Sequence, residues 1–244
     1  MIQVKELRKT YEVGKKRQEV LKGISLEVRC GEFISFMGPS GCGKSTLLNL
    51  LATIDDATSG DIVLGDIHVK ELNDGEKAKL RKNKLSFIFQ NYNLISSLTV
   101  RENILIALLV KSNRNNEIVD EIAFELGILN VMEKYPHEIS GGEQQRCACA
   151  RALVGGQPIL LADEPTGALD SVSRKKFMKL LDKMNKKFGM TILLVTHDVF
   201  TACFSDKVYF LKDGDIEQVL EKKGEENQQF FKRLLCQVEK MEDF

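Results

Sequence analysis

No apolar run in this chain of 244 residues reaches the ~18–20 residues that a membrane-spanning helix needs. The longest aliphatic stretch, Ile104 to Val110, is short and flanked by polar or charged residues. The opening residues, Met1-Ile2-Gln3-Val4-Lys5-Glu6, lack the pattern of a secretory leader. The sequence therefore predicts a cytoplasmic protein that meets a membrane only through a partner. An excess of charge is missing too, with Lys plus Arg and Asp plus Glu at 35 each. That balance does not indicate a broad nucleic-acid-binding surface, and no nucleic acid is expected as a partner. The six cysteines, Cys30, Cys42, Cys147, Cys149, Cys203 and Cys236, form no CxxC pair and no metal-like cluster with histidine. They read as free, reduced thiols, with Cys147 and Cys149 acting as small apolar residues in a helix.

What is present alternates. Phe33-Ile34-Ser35-Phe36-Met37 reads as a buried strand feeding a glycine-rich loop, and Ser45 to Ala52 as the helix after it. Phe87-Ile88-Phe89, Ile159 to Ala162 and Thr191 to Val195 read as further buried strands. Between the last two, Phe177, Leu180, Leu181, Met184 and Phe188 fall on one helical face. Such alternation predicts an α/β core with a mostly parallel sheet. Ile2-Gln3-Val4 and Ile24 to Val28 alternate like half-exposed antiparallel strands, predicting a small β-subdomain.

Residues 92–155 read as a helical insertion. Thr99-Val100-Arg101-Glu102 is a capping box before Ile104 to Leu109. Ser112 to Asn116 is a polar break, Ile118, Ile122 and Leu126 follow at helical spacing, and Gly127 is a stop. From about residue 221, Phe231, Leu234, Leu235 and Val238 predict an amphipathic helix packed on the core.

The chemistry is concentrated in a few segments. Gly38-Pro39-Ser40-Gly41-Cys42-Gly43-Lys44-Ser45-Thr46 matches the phosphate-loop pattern in full. Its glycines let backbone amides wrap phosphate oxygens, and the following helix N-terminus favours negative charge. Lys44 is placed to reach the β- and γ-phosphates, and Ser45 to ligate Mg²⁺. The strand from Ile159 ends in Asp163 and Glu164. Acids there sit beside a nucleotide crevice, Asp163 suited to hold Mg²⁺ through water and Glu164 to act as general base. His197 lies at another strand end, where it would reach the γ-phosphate side. Gln90 ends a strand before the helical insertion, placed to ligate the metal and to couple the insertion to the γ-phosphate. A second anion site stands at Ser140-Gly141-Gly142-Glu143-Gln144-Gln145-Arg146, a serine and two glycines opening a helix. Residue pattern alone does not say whose phosphate it holds.

Taken together these motifs are very specific. The phosphate loop, Gln90, the Ser140 segment, Asp163-Glu164, Ala168-Leu169-Asp170 and His197 follow one another in the order and spacing of a known family. From about residue 2 to residue 220 the chain resembles ATP-binding-cassette ATPase subunits. The resemblance implies a RecA-like P-loop NTPase core with an antiparallel β-subdomain and a helical insertion. Residues 1–91 and 156–220 would form the core with its β-subdomain, 92–155 the helical part, and 221–244 a tail. It also implies a homodimer that sandwiches ATP. Lys44 and Ser45 of one copy would hold the nucleotide, while Ser140, Gly141, Gly142 and Glu143 of the other cap it. Asp170 would cross the interface, Tyr11 would stack on adenine and Val20 would pad the same pocket. A membrane permease is the implied further partner, touching residues 91–100.

Finer motifs point within the family. Phe89 to Ile95, Ser140 to Arg146 and Asp163 to Asp170 resemble the macrolide-exporter and lipoprotein-release type. Thr196 to Cys203, Phe210 to Ile216 and the paired Phe230-Phe231 resemble bacitracin-type antimicrobial-peptide transporters. Thr53-Ile54-Asp55 departs from the glycine many members carry there, and Glu143 replaces the more usual glutamine. The roughly fifty residues between Gln90 and Ser140 are too few for the coiled coil of repair-type cassettes. Translation-type members carry two cassettes and this chain one. Lipoprotein release, or cell-division signalling through a permease-like partner, is not separated from export by these motifs.

Overall fold

A computed structural model describes residues 1–14, 16–109 and 116–241. The polar break expected at Ser112 to Asn116 therefore lies outside the described residues, except for Asn116 itself. Two sheets organise the chain. The first is antiparallel, in the order β2 (Lys16–Val28), β1 (Ile2–Val13), β4 (Ser59–Leu64), β5 (Ile67–His68). The second runs β10 (Asp215–Glu221), β9 (Lys207–Lys212), β3 (Phe33–Met37), β8 (Thr191–Val195), β7 (Ile159–Asp163), β6 (Leu85–Ile88). Its strands are parallel except β10, which pairs antiparallel with β9.

The continuous apolar strands follow from burial on both faces. In β8, Ile192 and Leu194 join one core while Leu193 and Val195 join another. Leu160 and Ala162 of β7 face the first core, and Leu161 the second. The second core is closed by α1 (Lys44–Leu51) and the antiparallel sheet. The first is closed by α3 (Val100–Leu109), α4 (Asn116–Leu126), α5 (Gly141–Val154) and α6 (Ser171–Phe188). Three of these helices, α3 to α5, fall between β6 and β7. Remaining helices are α2 (Asp74–Lys84), α7 (Val199–Ala202) and α8 (Asn227–Lys240). None of the described helices is long and apolar enough to cross a membrane.

Local signals account for the helix ends. Thr99 and Glu102 form the expected box, Glu102 N–H donating to Thr99 Oγ1 at 3.2 Å and Thr99 N–H to Glu102 Oε2 at 2.8 Å. Gly127, at φ 67°, ends α4 in the left-handed region that glycine tolerates best. Cys147 and Cys149 are buried in α5, where burial pushes both thiols up to about 12. They are packing groups, as expected.

Three expectations need correction, and one noted departure is explained. Phe188 closes α6 but is 61% exposed, because the helix has passed the edge of the core and stops at left-handed Gly189. In α8 the buried residues are Phe230 and Leu234, with Phe231 and Val238 partly covered, and they pack on Met37, Ala202 and Phe210. Leu235 is 40% exposed, one step round the helix from that stripe. The strand expected at Phe87 to Phe89 begins at Leu85 and ends at Ile88, leaving Phe89 in the loop. Where glycine is common, Thr53 takes the left-handed backbone itself, at φ 57°. Arg81 holds it there, donating to Thr53 O at 2.8 Å and Oγ1 at 3.1 Å.

Candidate active site

The parallel strands deliver their loops to one edge. The loop after β3, the acids ending β7 and the histidine after β8 meet because β7, β8 and β3 are neighbours in that order. They enclose a cavity of ≈ 510 Å³ lined by Val20, Gly38, Ser40, Gly41, Gly43, Lys44, Ser45, Thr46, Gln90, Glu164, Val195 and His197. Pro39 and Cys42 belong to the same loop without lining the cavity, and Cys42 is buried. The glycines are sterically required at two positions. A Cβ on Gly38 would lie 2.1 Å from Leu211 O, and one on Gly43 would lie 2.7 Å from Leu21 Cδ2. Gly43 caps α1 without a side-chain bond, so the first amides of that helix are left to an anion. Lys44 is buried and donates to Gly38 O at 2.7 Å and Pro39 O at 2.8 Å, which fixes its ammonium inside the loop.

Asp163 is only 7% exposed, and its Oδ1 is buried with no hydrogen-bond partner among the described residues. Burial pushes its carboxyl above the ordinary range, Glu164 adding to the rise, while Ser45 and Lys44 oppose it. An unpaired buried carboxylate oxygen beside a serine hydroxyl is a hard oxygen donor set, and it fits Mg²⁺. Glu164 sits at φ 49°, a left-handed backbone that costs of order 1–3 kcal/mol in a non-glycine residue. Its amide donates to Val195 O at 3.0 Å, which ties this strained residue to the end of β8. The carboxylate lies 2.9 Å from His197 Nδ1. Glu164 is the shielded partner and His197 the open one, at 15% and 71% side-chain exposure. A shielded carboxylate paired to an exposed imidazole can polarise a water and be held in aim while it does so.

Other predicted site residues lie elsewhere. Tyr11 does not line the cavity. Its hydroxyl donates to Asp55 Oδ2 at 2.6 Å, and Lys9 Nζ stands 4.7 Å from its ring centroid while donating to Asp55 Oδ1 at 2.6 Å. Burial, then the Asp55 bond, raises the Tyr11 phenol above its usual value. Ser140, Gly141, Gly142, Glu143 and Asp170 are also absent from the cavity lining. Ser140 is the N-cap of α5 and closes a box with Glu143, each side chain bonding the other's amide. The Ser140 bonds hold the Glu143 carboxyl below its usual range, so it is charged at neutral pH. Glu143 and Ser140 thus orient each other at the start of α5. Asp170 caps α6, accepting from the Val172 and Ser173 amides at 2.9 and 3.0 Å.

Pattern reading missed a network that joins the loops around Glu164. Asp198 Oδ2 accepts from Thr201 Oγ1 at 2.7 Å and from Arg174 Nη1 at 3.2 Å, and Thr201 Oγ1 is 3.1 Å from Thr166 Oγ1. Only the threonine two residues beyond Glu164 and the acid after His197 could have hinted at it.

Fold and cavity together define a P-loop nucleotide hydrolase. Comparison with known proteins narrows that class. A family model described as ABC transporter matches residues 21–167. The bacitracin export ATP-binding protein BceA of Halalkalibacterium halodurans is 44% identical over 238 residues, 96% of this chain and 94% of that protein. The macrolide export ATP-binding/permease protein MacB of Campylobacter fetus is 43% identical over 220 residues, 88% of this chain and 34% of that protein. Among solved structures, the ATP-binding cassette MJ0796 of Methanocaldococcus jannaschii, a dimer in a post-hydrolysis state with ADP and Pi, matches with TM-score 0.87 at 39% identity. That match covers 91% of this chain and 98% of the other. The chain belongs to the ABC transporter family, as an ATP-binding subunit that hydrolyses ATP.

Proposed function

We propose that this chain drives export of an antimicrobial peptide of the bacitracin type, by closing two copies of itself around ATP. One observation supports the dimer: the helix start at Ser140 does not line the cavity of its own chain, while the matching cassette MJ0796 is a dimer with ADP and Pi. A second copy supplies the phosphate it lacks. Lys44, Ser45 and the amides of α1 hold ATP from one side, and Ser140, Gly141 and Gly142 of the other copy close over the γ-phosphate. Glu143 holds Ser140 in place, and Asp170 reaches across the interface. Tyr11, fixed by Asp55 and Lys9, offers its ring to adenine, with Val20 beside it.

Glu164 takes a proton from the attacking water, and His197 orients Glu164 and meets the γ-phosphate. Ser45, Asp163 and Gln90 would hold Mg²⁺, which would supply positive charge to offset the negative charge of the phosphates. Residues 92–155 move as a lever on a body made of 1–91 and 156–220. The permease seats against residues 91–100 and the adjoining groove walled by Phe87, Phe89, Asn93 and Arg151, so the chain works at the inner face of the membrane. BceA's role in bacitracin export supports the cargo, and MacB's joined permease supports the partner.

Glu164→Gln tests this reading. Turnover is expected to fall by about 10²–10⁴-fold, with ATP-bound dimer accumulating in size-exclusion light scattering. Full turnover, or a monomer at saturating ATP, would sink it. Co-purified with its permease, the wild-type chain should hydrolyse ATP faster when bacitracin is added, and an unchanged rate would count against the cargo.

A further inference from the structure

The segment after Gln90 is built as part of the helical layer rather than as a free loop. Tyr92 and Asn93 both take left-handed backbone, at φ 60° and 48°. Two consecutive non-glycine residues there are strained, Tyr92 more than Asn93, and need outside support. Arg151, far along α5, supplies it. Its Nη2 donates to Tyr92 O at 2.8 Å and its Nη1 to Asn93 O at 2.7 Å. Burial lowers the pKa of this guanidinium, and its bonds among the described residues go to these two carbonyls. A half-buried arginine that spends its fork on two backbone carbonyls is placed for geometry, not for charge pairing.

The other half of the segment is held from α3. Asn103 is fully buried. Its Oδ1 accepts from the Ile95 amide at 2.8 Å, and its Nδ2 donates to Ile95 O and Leu98 O at 3.0 Å each. Neither clamp reaches Gln90, which lines the nucleotide cavity. At the opposite end of α5 from Arg151 stands Ser140.

We infer that Arg151 and Asn103 are positioning residues that weld residues 92–99 to α5 and α3, so that this segment and the helix that Ser140 caps are held as one unit. This rests on the proposed roles of Gln90 and Ser140, but the weld has its own readout. Arg151 sets the placement of Ser140's helix relative to the cavity, and so acts on turnover rather than on nucleotide affinity.

Arg151→Met keeps the apolar stem and removes the fork. In the full-length chain it should speed hydrogen exchange at residues 92–95 by about tenfold or more, leaving β7 and β8 unchanged. ATP turnover should fall on the order of tenfold, with KM moving less than about twofold. Arg151→Lys, able to reach one carbonyl but not grip both, should fall between. Unchanged exchange at 92–95 would overturn the weld, as would equal acceleration throughout α5 and the strands, which marks general loosening. So would a raised KM at constant turnover. Should Gln90→Ala hydrolyse normally while Arg151→Met opens residues 92–95 and slows turnover, the weld stands and only the role of Gln90 falls.

Discussion

The N-termini of α1 and α5, the two helix starts to which the proposed dimer gives one phosphate, are made differently. Gly43 begins α1 with no side-chain cap and no acid in the first turn, and Lys44 waits inside the same loop. Ser140 begins α5 with its hydroxyl and Glu143 already bonded to each other. The first leaves its amides open, as a standing phosphate site would need. The second is satisfied by its own chain, and the proposed dimer would bring a phosphate to it. An open end suits tight binding, and a self-capped end suits a contact that forms and breaks in each cycle, because its amides never lose all partners.

The sharpest break of that comparison is Lys44→Ala. It should weaken ATP binding by about a hundredfold or more, since a charge-assisted contact to phosphate is lost. Titration calorimetry reads this directly, and retained affinity would erase the distinction. Ser140→Ala comes next. It should leave ATP affinity of the single chain intact and reduce turnover about tenfold or more. Loss of the cap should also cost α5 about 1 kcal/mol, visible in urea unfolding. Weakened binding in this variant would mean that the two ends do the same work.

The smallest effect concerns a third capped end, that of α6. Bonds from the Ser173 hydroxyl and amide hold the Asp170 carboxyl down to about 2, against an ordinary 3.8. A folded value below the unfolded one gives stability that is present above pH 3.8 and lost as pH falls through about 2. Asp170→Asn keeps a cap but cannot titrate. The stability gap between wild type and variant should therefore close over that acid window, and a constant gap would contradict the assignment.

Much of this molecule was legible where a segment carries its own explanation. The strand Thr191 to Val195, the Thr99 box and the stop at Gly127 are local patterns with local causes. Phosphate-loop chemistry is likewise contained in nine consecutive residues, Gly38 to Thr46. What escaped depends on contacts across the chain. Arg151 finds Tyr92 59 residues away, and Arg81 finds Thr53 28 residues away. Periodicity placed Phe188 and Leu235 on apolar faces, but cannot tell where a core ends beneath a helix. Asn103 stands just before an aliphatic run with no pattern to mark it, and only the fold brings Ile95 and Leu98 under its amide.

Mixing two crippled variants tests the central claim most directly. If Ser140 serves the nucleotide of the other copy, Lys44→Ala and Ser140→Ala chains combined in one dimer leave one site wholly intact, made from Lys44 of one and Ser140 of the other. The account predicts that the mixture hydrolyses ATP faster than either variant alone, while a chain carrying both changes gains nothing when mixed with either one. A mixture no faster than the sum of its parts would contradict it.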